Sequence, residues 1–65
     1  MQDFQQRVVD EKAALDEKYN KLTPFIGSSD VFATLPADEQ ERLTRQHRLM
    51  GEYSAVLGER IAAFT

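Results

Sequence analysis

The sequence predicts an all-α fold: one domain over residues 1–65, built as an antiparallel two-helix hairpin with a short helical turn in its connector and assembling into a homo-oligomeric helical bundle. Three observations predict it. Two long stretches repeat apolar residues at heptad spacing, and both prolines, Gly27 and the Ser28-Ser29 pair fall where the first gives way to the second. The third is size: a chain of 65 residues with no cysteine buries only ~60% of its unfolded surface and nets roughly 3–5 kcal/mol from one core. Disulfides and thiolate zinc sites are excluded, and a single histidine, His47, does not make a histidine metal site. No metal and no cofactor is expected. By elimination, partner subunits are the expected support.

The first helix is expected over about residues 2–25. From Gln2 to Leu22 there is no Gly or Pro, and Val8, Leu15 and Leu22 recur every seven residues beside a companion row of Phe4, Glu11, Lys18 and Phe25. Asp3–Arg7, Lys12–Asp16 and Glu17–Lys21 have the i,i+4 spacing of surface ion pairs, worth ~0.2–0.5 kcal/mol each. Pro24 lacks an amide donor and biases Thr23 away from helical geometry, so the helix is expected to end or kink there, or to gain one further turn capped by Thr23.

Residues 26–35 read as the connector. Gly27 suits a left-handed position after a helix, and Ser29 or Asp30 suits the cap of a short turn carrying Val31 and Phe32. Phe32 and Leu35 are expected to plug the open end of the hairpin.

The second helix is expected over about residues 36–64, with Pro36 at its first position and Asp38 and Glu39 in its first turn against the macrodipole. Leu43, Met50, Leu57 and Phe64 form its seam, Glu39, Gln46, Tyr53 and Arg60 the companion row, and Leu49, Val56 and Ala63 a third row. At ~1.5 Å per residue this helix is expected to reach roughly 40 Å against roughly 30 Å for the first. One partner helix does not cover three rows on the longer element, which is the sequence's main argument for oligomers.

Four constellations carry whatever function is legible. The small residues Gly51, Ala55, Gly58 and Ala62 form a stripe; each mid-helix glycine costs ~0.8–1 kcal/mol against alanine, so close approach of a symmetry mate or of the facing helix is expected there, the alternative being glycine simply tolerated on an exposed face. With Leu49 and Val56, the residues Gly51, Gly58 and Ala62 make the expected oligomer interface. Second, Glu11, Lys18, Gln46 and Arg60 occupy seam rows, where charge is costly unless paired. One reading is cross-helix pairs such as Glu11 with Arg60; the other is a pocket for an anionic, hydrogen-bonding ligand. Third, Arg42, Arg45, His47 and Arg48 form either a solvated face or a ridge whose guanidinium forks match phosphate oxygens. Fourth, Tyr53 either packs in the core or stacks on a nucleobase.

Nothing in the chain has the form of an active site. His47 has no cysteine partner, Ser28 and Ser29 lie in a turn, and there is no phosphate-cradling glycine loop. No catalytic residue and no enzyme activity are expected. A net charge of −3 argues against DNA as a partner, and no apolar run approaches the ~18 residues of a membrane span. With no apolar leader after Met1, the expected compartment is the cytoplasm.

The ordered pattern Glu11, Leu15, Leu22, Phe25-Ile26, Phe32, Leu35, Leu43, Gln46, Met50, Tyr53, Leu57, Arg60-Ile61 resembles the small crAss-phage-related proteins of tailed phages and prophages. The resemblance covers nearly the whole chain, and its strongest part is Met50-Gly51-Glu52-Tyr53 through Leu57-Gly58-Glu59-Arg60-Ile61. In size and architecture the chain is also similar to phage anti-CBASS and anti-Thoeris sponges, helical hairpins that trap nucleotide signals at subunit interfaces. These resemblances imply a phage protein, acting in the cytoplasm of the infected bacterial host, that sequesters a cyclic nucleotide or ADP-ribose-type immune signal without turning it over. Arg60, Tyr53 and Gln46 are the expected contacts, with Lys18 or the Arg45 and Arg48 ridge supplying charge for phosphates. The alternatives are an adaptor or inhibitor of a host protein, offering Leu49, Val56 and Ala63, and a structural oligomeric bundle.

Overall fold

Gln2 opens the first helix. Its amide donates to Gln5 Oε1 at 2.9 Å, one half of a capping box that satisfies a donor at the helix start. The computed structural model describes residues 2–64 and places helix α1 over Asp3–Ser28, a short α2 over Asp30–Thr34 and α3 over Ala37–Ala62. The helices α1 and α3 pack against each other as a hairpin 47 × 15 × 14 Å in extent. Among the described residues no helix is long and apolar enough to cross a membrane.

Helix α1 does not end at Pro24; it continues to Ser28. Pro24 is exposed, so the backbone bond it forfeits lies on the solvent side. Thr23 and Ser28 bond back to the carbonyls of Tyr19 and Pro24, at 2.9 and 3.1 Å. Gly27 therefore lies inside the helix, and no described glycine has a positive φ. The left-handed cap expected there is replaced by one extended residue, Ser29, at φ −81° and ψ 129°. Ser29 ends α1 and caps α2, its Oγ accepting from Val31 N at 3.2 Å. Leu35 and Pro36 are again extended, and α3 starts at Ala37, one residue after its expected first position. Gln40 closes the connector by donating to the carbonyl of Leu35 at 2.9 Å. Phe32 meets Phe25 edge-on at 5.9 Å between ring centres, while Val31 stays exposed.

The extension past Pro24 makes α1 and α3 equal, at 26 residues each. The expected length mismatch is therefore wrong, and with it the sequence's main argument for oligomers. A different one takes its place. Among the described residues the buried apolar side chains are Val8 and Leu57, of which only Leu57 is fully enclosed. The chain exposes 4773 Å², against about 4,200 Å² for a compact monomer of its mass. Leu49 and Val56 stand 52% and 51% exposed.

Candidate functional site

One residue turns a helix by about 100°, so neighbours in sequence fall on opposite sides of the α1–α3 seam. His47, Gly51, Ser54 and Gly58 take one side, and Gln46, Leu49, Tyr53 and Val56 the other.

The first side is closed by polar contacts. Lys12 Nζ lies 2.7 Å from Asp16 Oδ2, and Ser54 Oγ donates to Asp16 Oδ1 at 2.5 Å. The hydrogen bond from Lys12, then that from Ser54, hold the Asp16 carboxyl below its ordinary value, against a smaller opposing effect of burial. Next along the seam, the Tyr19 and His47 rings stack with centres 4.2 Å apart, and His47 Nε2 is 2.8 Å from Thr23 Oγ. His47 thus leaves the expected arginine ridge and turns inward. The glycines explain themselves here: a Cβ on Gly51 would stand 3.2 Å from Tyr19 Cε2, and one on Gly58 3.3 Å from Lys12 Cε. Both accommodate side chains of α1, whereas Ala55 and Ala62 are exposed.

The second side is open. Two shallow grooves run along it and share Gln46 and Met50 as their common ridge. One is lined besides by Lys18, Lys21, Leu22 and Phe25, the other by Arg42, Arg45, Leu49 and Tyr53. The floor is apolar and each groove carries two cations. Arg42 is held by Glu39 at 2.8 Å and Asp38 at 3.4 Å, Arg45 by Glu41 at 3.7 Å and Lys21 by Glu17 at 3.0 Å. Among the described residues Lys18 forms no ion pair. Tyr53, 45% exposed, donates its hydroxyl to Glu11 Oε2. Glu11 therefore meets Tyr53 and not Arg60, the partner expected from the antiparallel register. Farther along, Phe4 and Phe64 meet edge-on at 5.8 Å.

Of the expected ligand contacts, Lys18, Gln46, Tyr53 and Arg45 thus share one face. Arg48 does not: it lines a separate hollow with Phe32, Ala37, Gln40, Glu41 and Thr44, which Arg45 also borders. Arg60 stands in the last turn of α3 and lines neither groove; fourteen residues of helix put it about 21 Å from Gln46. Lys21, Arg42, Met50, Leu22 and Phe25 were not singled out as contacts. Lys21 and Arg42 had a signal, since each stands three or four residues from a seam position, where a long side chain reaches over the groove. Among the described residues no His, Asp or Glu cluster is placed to hold a metal ion.

The fold and this face define a class: a two-helix hairpin with one polar, closed side and one apolar, cation-flanked side. The family model for Sequestin matches residues 2–63, and the chain belongs to the Sequestin family. No curated protein and no solved structure matches it.

Proposed function

We propose that this is a phage-encoded, non-enzymatic anti-defence protein that binds a nucleotide-derived immune signal and withholds it, as a homo-oligomer with the ligand at a subunit interface. The observation that carries the reading is the Gln46–Met50 ridge, with an apolar floor on both sides and two cations in each groove. A nucleotide needs those parts together: an apolar or aromatic surface for its base, an amide for base or ribose edges, and cations for its phosphates. Tyr53 and Phe25 supply aromatic faces, Gln46 the amide, and Lys18, Lys21, Arg42 and Arg45 the charge. The family name agrees with withholding a molecule in place of converting it. The resemblance to crAss-phage-related proteins and to anti-CBASS and anti-Thoeris sponges supports the phage setting, the host cytoplasm and a cyclic nucleotide or ADP-ribose-type signal.

Calorimetry against cyclic dinucleotides, cyclic trinucleotides and cyclic ADP-ribose isomers tests it, followed by heat release and chromatography of the bound compound. Saturable binding and recovery of the compound unchanged are expected. A folded protein that binds none of them sinks the reading, and recovery of a cleaved compound sinks its non-enzymatic part. The exposed row of Leu49 and Val56 favours a second reading, an adaptor or inhibitor of a host protein. A stoichiometric host partner lost with Leu49→Glu or Val56→Glu, together with no nucleotide binding, decides for it.

A further inference from the structure

We infer that a second copy of this chain covers the Leu49–Val56 flank of α3, the two α3 helices running antiparallel about a two-fold axis between Glu52 and Tyr53. The argument starts from what the hairpin leaves open. Leu49 and Val56 are half exposed on a chain in which Leu57 is the only fully enclosed apolar side chain among the described residues. They lie seven residues apart on one helix, so a two-fold axis midway between them sets each Leu49 against the partner's Val56.

That register also decides the flanking charges, and they are complementary. To one side of the apolar row runs Arg45, Glu52, Glu59 and to the other Gln46, Tyr53, Arg60, both at seven-residue spacing. Under the same axis Arg45 meets the partner subunit's Glu59, and Gln46 meets the partner subunit's Arg60, each within about one residue's rise of ~1.5 Å. A parallel two-fold pairing in register would set one flank against the other, Glu59 on the partner subunit's Arg60 but Arg45 on the partner subunit's Gln46, and leave Arg45 without an acid. The like-charge approach that remains, Glu52 near its own copy, has Arg48 one turn away on the same helix to offset it. The antiparallel pairing is the one that gives Arg45 an acid across the interface, as charges do along coiled-coil flanks.

The arrangement has a functional consequence. Within one chain Arg60 is too far from Gln46 to share a ligand with it, whereas the axis carries the partner's Arg60 to the Gln46 edge of the groove. The partner helix takes the groove beside Leu49, while the groove lined by Lys18, Lys21, Leu22 and Phe25 beside Gln46 gains a third cation from the other copy, so the two copies make two equivalent composite sites. That last step rests on the proposed function; the dimer itself does not.

The test uses the full chain without ligand. Sedimentation equilibrium is expected to show a dimer, with its dissociation constant raised about tenfold or more by Arg45→Glu or by Glu59→Arg. The two changes together are expected to restore association, and circular dichroism reports that each variant stays helical. Because the chain has no cysteine, the double variant Leu49→Cys/Val56→Cys is expected to oxidise to a covalent dimer. Either change alone is not, since each residue stands about 10 Å from its own copy, beyond the reach of a disulfide. A monomer at micromolar concentration overturns the inference and the oligomeric part of the proposed function together. A dimer indifferent to the charge reversals, or cross-linked equally well by a single cysteine, overturns the inference alone. Failure to bind nucleotides, with a dimer that passes both tests, overturns only the ligand.

Discussion

Along one side of the seam, Lys12, Asp16 and Ser54 close one hydrogen-bonded cluster and Tyr19, Thr23 and His47 a second, with glycines beneath them. Along the other, Leu22, Phe25, Met50 and Tyr53 lie partly open among lysines and arginines. The same two helices supply both sides, so propensity does not account for the difference. Side-chain choice does. The closed side pairs short polar groups across the seam and leaves no buried side-chain polar atom unsatisfied among the described residues. The open side keeps its cations on its rims and its apolar atoms on its floor. The closed side ties the two helices together through polar pairs, and the open side is the one the proposed function assigns to a ligand.

The largest effect belongs to the apolar residue that is fully enclosed among the described residues, between the two sides. Leu57→Ala removes a side chain with no solvent exposure, a change that costs ~2–5 kcal/mol. Against the roughly 3–5 kcal/mol that a core of this size supplies, the variant is expected to be largely unfolded at 37 °C. Urea titration followed by circular dichroism measures it, and a loss below 1 kcal/mol would show that the seam is not where the fold is held.

The closed side is sharpened by its two glycines, which should answer differently. Alanine in place of either gains ~0.8–1 kcal/mol of helix propensity. At Gly58 the obstacle is Lys12 Cε, a flexible side chain, so Gly58→Ala is expected to keep most of that gain. At Gly51 it is the edge of the Tyr19 ring, stacked on His47, so Gly51→Ala is expected to gain less than Gly58→Ala. Paired thermal melts compare them; equal gains would mean the Tyr19–His47 stack yields freely.

Acid should loosen the closed side first. The folded state holds Asp16 below its ordinary value of 3.8, so it binds fewer protons there than the unfolded chain. The stabilisation is therefore fully present above that ordinary value and is lost as pH falls through the lower folded one. Melting temperatures of wild type and Asp16→Asn are expected to differ at neutral pH and converge in strong acid. Parallel curves would remove Asp16 from the account.

Much of the fold was legible because heptad rows report buried faces directly: Val8, Leu15, Leu43 and Leu57 announce both helices and their antiparallel packing. What failed was punctuation. Pro24 and Gly27 have strong average meanings, yet an exposed proline loses little inside a helix whose neighbours bond back to its carbonyls, and one extended Ser29 made the turn. The candidate face was legible in part. Gln46, Tyr53 and Lys18 stand in seam rows and so reach the open face. Periodicity gives a residue's direction around a helix but not its partner across the seam, so Glu11 with Tyr53 and His47 with Tyr19 and Thr23 were missed. Arg60 shares its row with Gln46 and Tyr53, but a row extends along the helix farther than one ligand does.

The smallest expected effect on stability is on the open side, where the comparison bears on function. Lys18 is exposed and forms no ion pair among the described residues, so Lys18→Ala is expected to change stability by no more than about 0.5 kcal/mol. If its charge serves the phosphates of a bound nucleotide, the same change weakens binding about tenfold, the scale of one charge-assisted contact. Ser54→Ala should do the reverse, since it unpairs part of the closed side and touches neither groove. Calorimetry and thermal melts on the two variants make a crossed test of the division between the sides. A Lys18 variant that melts early but binds normally would show that holding the hairpin together and holding a ligand are not separated across this seam.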